Sequence, residues 1–226
     1  MWAICTNEFK GLFKGFKSLF IIIFLVGISL IFASLSKSSP ISAELTSEEA
    51  YTSGLTIIIV FFGMLFTFVL SHDVLSREVQ HRTIRFLVTK TTRKKIVAGK
   101  TLGVVSFWLV CLILSLIAIS IFAKAFFFTT LIQCIVFLTY GISLAMLVSS
   151  LAAKTNQSLI IGIVISFILP IISMALLLTD NILLSWLKYL TPYYYMDLPI
   201  VSLLGVILLS AVFFTCSIFV FERRDL

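Results

Sequence analysis

Charge is scarce in this sequence. Asp, Glu, Lys and Arg together make up 12% of its 226 residues, about half the share found in soluble domains. That excludes an ordinary water-soluble globule. The 60% of hydrophobic residues excludes a disordered chain, which needs the reverse balance. Cysteine is sparse as well: Cys5, Cys111, Cys134 and Cys216 form no CxxC pair, so neither a zinc site nor a disulfide framework is expected. The sequence also lacks a GxxxxGK[ST] loop to cradle phosphates and an HExxH pair for a metalloprotease. Its two histidines, His72 and His81, stand far from Ser143, whose Gly141-Ile142-Ser143 setting is only a fragment of a serine-hydrolase elbow. An intramembrane protease is therefore a minor alternative, and no catalytic residue is assigned.

What the chain has in abundance is long apolar runs. A hydrocarbon core takes about 20 helical residues to cross. Six runs free of Asp, Glu, Lys and Arg cover residues 19–35, 54–71, 101–123, 129–151, 158–179 and 198–221. The expected fold is an all-α integral membrane protein, one transmembrane domain over 1–226, with little chain left for anything soluble. Six spans put both termini on one side. Lys10, Lys14, Lys17, Arg77, Arg82, Arg85, Lys90, Arg93, Lys94, Lys95, Lys100, Lys154, Arg223 and Arg224 share that side, 14 in all, against Lys37, Lys124 and Lys188 opposite. The positive-inside rule makes the first side cytoplasmic. The net charge of +7 is then a topology signal, and no nucleic-acid partner is expected. The first span is expected to be retained rather than cleaved as a signal peptide, because no clean small-x-small site follows it.

Four stretches stand out against this background. Residues 1–18 place Trp2, Cys5, Phe9, Leu12, Phe13 and Phe16 at helical spacing, with Lys10, Lys14 and Lys17 on another face. That pattern predicts a helix lying in the membrane interface, either a static anchor or a lever moving with the first span. The loop 72–100 carries a two-sided helix: Arg77, Glu78, His81, Arg82 and Arg85 on one side, Val79, Thr83, Ile84, Phe86, Leu87 and Val88 around the other. Its apolar side needs a cover, which is the membrane surface or a groove on a partner protein. In the fourth span Gly141, Ala145 and Ser149 recur every four residues, a face that lets another helix approach closely, in this chain or in a second copy. Finally, segment 180–197 combines Trp186 with Tyr193, Tyr194 and Tyr195, an interfacial belt. Pro170 in the fifth span permits a kink.

The 72–100 loop resembles the cytoplasmic loop of type-2 ATP-binding-cassette (ABC) exporter permeases. That family has an acidic residue, a Gly-Thr-Leu-like step, a Leu-Leu pair, a Pro-x-Ser-Arg-like turn and a Gly-Lys entering the third span. Glu78, Thr83, Ile84, Leu87, Val88, Arg93, Gly99 and Lys100 match in order. Arg82 stands where glycine is usual, and Lys90 where proline is common. Span number, N-terminal helix and the basic tail Glu222-Arg223-Arg224-Asp225 extend the likeness over the chain, toward bacterial peptide and antibiotic export and immunity permeases.

The resemblance implies a division of labour. This chain forms the membrane path in a bacterial plasma membrane. Arg77, Glu78, His81, Arg82, Arg85, Phe86 and Leu87 form a coupling helix seated in a separate nucleotide-binding subunit, present in two copies, which binds ATP and Mg. A second permease half, identical or homologous, completes the transporter. Segment 180–197 becomes a re-entrant outer closure, with Pro170, Trp186 and the tyrosines as the substrate path or gate. With no ionisable group in any span core there is no evident proton relay, and an amphipathic or hydrophobic cargo (peptide, antibiotic or lipid-like) is expected. The alternative is the substrate-capturing membrane component of a vitamin uptake transporter, which shares length and span number.

Overall fold

The computed structural model describes residues 1–36, 47–80, 91–178, 186–196, 198 and 200–223. Eight α-helices run through them: α1 Trp2–Lys14, α2 Phe16–Ser36, α3 Ser47–Ser71, α4 Ser76–Gln80, α5 Arg93–Ala123, α6 Phe128–Leu151, α7 Thr155–Leu178 and α8 Leu203–Arg223. Short 3-10 turns at Trp186–Leu190, Tyr193–Tyr195 and Ile200–Ser202 precede α8. Among the described residues there is no strand. Six helices are long and apolar enough to cross a membrane, and the chain is an all-helical multi-pass protein. Helices suit this composition because lipid offers no partner to a backbone N–H or C=O, and a helix satisfies both internally. Serine and threonine in the spans follow the same rule: Ser29, Thr101, Ser115, Ser166 and Ser210 each donate to a carbonyl four residues back.

α6 is the central helix. It packs against α3, α5, α7 and α8, and Cys134, Leu138, Ile142, Ala145 and Met146 on it are fully enclosed. α5 brings Val104, Phe107, Trp108 and Leu112 to the same core. α7 is scarcely covered by the rest of the chain, leaving Phe167, Ile171 and Met174 exposed.

Two helices begin well before their apolar runs. α3 starts at Ser47 rather than 54, and α5 at Arg93 rather than 101. A run ends where charge begins, whereas a helix continues as long as its polar side chains find water or partners. At the start of α3 the partner is on α6: Thr130 donates to the Glu48 carboxylate at 3.1 Å. At the start of α5 it is a larger polar assembly, described next.

α1 folds back along α5, and two glycines make this possible. A Cβ at Gly99 would lie 3.0 Å from the Met1 carbonyl oxygen, and one at Gly103 would lie 2.9 Å from Glu8 Cβ. The spacing Gly99-x-x-x-Gly103 thus brings two helix backbones together, as small-residue faces do between membrane helices. Phe13 meets Phe107 of α5 edge-on at 5.0 Å, and Cys5 is buried. Only part of the apolar face of α1 is therefore left for a membrane interface. Phe9, Leu12 and Phe13 pack on the protein core, while Trp2 and Phe16 remain exposed.

Candidate functional site

Lys100 organises one end of the bundle. It lies within α5 with only 3% of its side chain exposed. Its ammonium is 2.8 Å from Glu78 Oε1 and 3.3 Å from Glu8 Oε2, and donates to the Val74 carbonyl at 2.7 Å. Three acceptors meet its three N–H donors. A buried cation is tolerable only when it is paired and fully hydrogen-bonded, and this one is. The pairing ties α1 (Glu8), the turn after α3 (Val74), α4 (Glu78) and α5 into one knot. Glu78 therefore does not stand with Arg77 on one polar face. Arg77 is exposed and pairs with Asp73 at 3.3 Å, whereas Glu78 turns inward with 16% of its side chain exposed.

The rest of the predicted coupling helix, His81, Arg82, Arg85, Phe86 and Leu87, lies outside the described residues. Its two flanks are described, and both are fastened to the bundle. On one side Gln80 Oε1 accepts from the Thr155 backbone N–H and hydroxyl, each at 3.0 Å, which joins α4 to the start of α7. On the other, Arg93 Nη1 donates to the carbonyls of Phe221 at 3.3 Å and Glu222 at 2.7 Å. A guanidinium there satisfies carbonyls that a helix C-terminus leaves without partners and complements the helix dipole. The neighbouring Lys94–Glu222 pair, at 3.8 Å and well exposed, adds little.

Gly141, Ala145 and Ser149 face α3 of the same chain. A Cβ on Gly141 would lie 2.9 Å from both Met64 Sδ and Thr67 Oγ1, and Ala145 packs with Phe68. Ser149 is fully buried. Its hydroxyl donates to the His72 carbonyl at 2.9 Å and accepts from the backbone N–H groups of Leu75 (3.2 Å) and Ser76 (3.0 Å). Those amides open α4, where no intrahelical acceptor exists. The stripe is occupied within the protomer, so it is not a free face for a second copy.

At the opposite end, residues 186–196 reach down beside α6. Tyr140, whose hydroxyl donates to the Leu190 carbonyl at 3.1 Å, lies twelve residues into α6, about 18 Å along its axis. Tyr193 is buried edge-on against Phe137 at 5.2 Å. Burial, with the Tyr140 phenol nearby, pushes its hydroxyl well above the usual phenol range, so it stays neutral. Tyr195 covers Gly205 of α8, where a Cβ would meet its ring at 2.7 Å, and its hydroxyl donates to the Tyr189 carbonyl at 3.0 Å. Tyr194 sits edge-on between Tyr189 and Tyr195, and Lys188 lies over the Tyr189 and Tyr194 rings. Trp186 is exposed. α7 runs unbroken through Pro170, which leaves the Ser166 carbonyl without its backbone donor. Tyr140→Phe should cost about 1 kcal/mol and speed proteolysis within 186–196. An unchanged cleavage rate would show that ring packing alone holds the segment.

The residues missed from sequence are Glu8, Val74 and the Gly99/Gly103 seat. The glycine spacing was the available signal, since it marks where α1 docks and hence what Lys100 meets. Among the described residues no group of three His, Cys, Asp or Glu side chains is placed to hold a metal ion.

No curated protein matches the chain. A family model described as ABC-2 family transporter protein matches residues 2–226. Six membrane-crossing helices and a long loop fastened at both flanks at one end are consistent with the permease subunit of an ABC transporter, the membrane partner of a nucleotide-binding subunit. The chain belongs to the ABC-2 transporter family.

Proposed function

We propose that this permease exports an amphipathic or hydrophobic substrate (peptide, antibiotic or lipid-like) across a bacterial plasma membrane, with both termini cytoplasmic. ATP and Mg are bound and turned over by two copies of the partner subunit. A second permease half, identical or homologous, completes the path. Residues 77–88 couple the two: Phe86 and Leu87 insert into the partner, and Arg77, His81, Arg82 and Arg85 pair at its rim. Glu78 acts inward, passing the partner's push to Lys100. At the other end, the aromatic segment with Tyr193, Tyr194, Tyr195 and Trp186, hinged by Pro170, closes the outer mouth.

One observation carries this reading. The segment between Gln80 and Arg93 is fastened at one flank to α7 and at the other to α8, while Glu78 leads to α1 and α5. A force applied there reaches four helices through contiguous polar contacts, which suits a rigid-body transition. The uncharged span cores support an apolar or amphipathic cargo.

The test is copurification. Tagged wild-type chain drawn from its own cell in mild detergent should bring with it a soluble ATPase carrying a phosphate-binding loop. Phe86→Asp combined with Leu87→Asp should abolish that association while leaving membrane insertion intact, since burying two carboxylates without partners is prohibitive. Undiminished association in the double variant removes the coupling role from this loop.

A further inference from the structure

The elbow between α1 and α2 faces the end of α3 across a cleft of about 500 Å³, to which the transport reading assigns no ligand. Its polar lining holds Lys17 and Arg77 together with Glu8, Asp73 and His72. Asp73 engages Arg77 through Oδ2, and Glu8 engages Lys100 through Oε2, so each carboxylate uses one oxygen. Lys17 is exposed and enters no ion pair among the described residues. His72 is only 8% exposed, and its Nδ1 lies 2.9 Å from the Val69 carbonyl. A carbonyl can only accept, so Nδ1 donates there and the ring is held in place. The cleft therefore offers cationic donors and anionic acceptors side by side.

Its apolar lining, Leu12, Phe16 and Val69, continues into a track of aromatic rings. Phe20 stacks on Phe24 at 6.0 Å, Phe24 meets Phe62 and Phe66 edge-on, and Phe62 stacks on Phe66 at 6.0 Å. Phe16, Phe20 and Phe62 are exposed. Phe16, Phe20 and Phe24 follow one another by a helical turn, covering about 12 Å of α2, away from the charged end. A polar mouth with charges of both signs, opening onto an apolar track, is complementary to one kind of molecule.

We propose that this groove binds one aminophospholipid, a lipid whose headgroup carries a phosphodiester and a primary ammonium. The phosphate accepts from Lys17 and Arg77. The ammonium donates to Asp73 and Glu8. One acyl chain lies along the phenylalanine track. A purely anionic headgroup would face the two carboxylates, and a quaternary ammonium has no N–H for them.

Native mass spectrometry of the purified chain, delipidated and then offered phosphatidylethanolamine, phosphatidylcholine or phosphatidylglycerol, tests this directly. The ethanolamine lipid should be retained at one per chain, with occupancy about fivefold above either competitor, the factor expected for one charge contact, here the ammonium on Asp73. Lys17→Ala, an exposed position outside the core, should lower the occupancy of all three lipids together, since each carries the phosphate. Asp73→Asn should weaken the ethanolamine lipid without weakening the glycerol lipid. Equal occupancy by the three lipids, or highest occupancy by the anionic one, overturns the proposal. An ethanolamine preference untouched by Asp73→Asn, or total lipid occupancy untouched by Lys17→Ala, overturns its location.

Discussion

Lys100→Met is expected to destabilise the protein by about 3–5 kcal/mol, the usual cost of removing one partner from a buried ion pair. The side chains left behind are 13% and 16% exposed at Glu8 and Glu78, so water does little to screen them. Methionine fills most of the lysine's volume, which isolates the charge from the packing. Two carboxylates would then face one another with no cation between them, and the Val74 carbonyl would lose its donor. The expected result is a lower thermal midpoint in detergent and faster tryptic cleavage at Lys10 and Lys14, as α1 lifts from α5. The triple variant Lys100→Met/Glu8→Gln/Glu78→Gln should recover much of the loss, because groups in one network do not contribute additively. A single variant with the wild-type midpoint and wild-type cleavage would show that α1 is held by the Gly99/Gly103 seat alone.

The same residue shows where sequence reasoning reached and where it stopped. Six spans were legible because bilayer thickness sets a length and lipid excludes charge. That logic treats a lysine as the end of a run. Lys100 faces protein rather than lipid, and its partner Glu8 lies 92 residues away along the chain, a separation that no local pattern encodes. Phe13 was legible as apolar, but an amphipathic face reads the same whether lipid or another helix covers it. Only the paired glycines on α5 distinguish the two. Tyr193 carries the same ambiguity: a ring suited to an interfacial belt is equally suited to the buried slot beside Phe137, and the choice depends on how far segment 186–196 descends along α6. The small stripe Gly141, Ala145, Ser149 was visible as a face for close approach. Its target, α3 of the same chain, was not.

Ser149→Ala separates the two things that stripe could be. If it only lets helices approach, then a methyl in place of a buried hydroxyl should be nearly neutral, and Ala145→Gly should be the costlier change at about 1 kcal/mol. The hydroxyl, however, is the acceptor for both Leu75 N–H and Ser76 N–H, and both residues are fully buried. Leaving a buried donor unsatisfied costs about 1–3 kcal/mol, and alanine leaves two. The His72 carbonyl suffers less, since the Ser76 hydroxyl also donates to it at 2.8 Å. Ser149→Ala is therefore expected to lose about 2–4 kcal/mol, more than Ala145→Gly, with amide hydrogen exchange rising first at Leu75 and Ser76. The turn that Ser149 holds leads into α4 and so aims Glu78 at Lys100, which means the loosened turn should also weaken the ion-pair knot. Combining Ser149→Ala with Lys100→Met should then cost less than the sum of the two. Strict additivity, or a Ser149→Ala loss no greater than that of Ala145→Gly, would mean that the hydroxyl is not what fixes the turn.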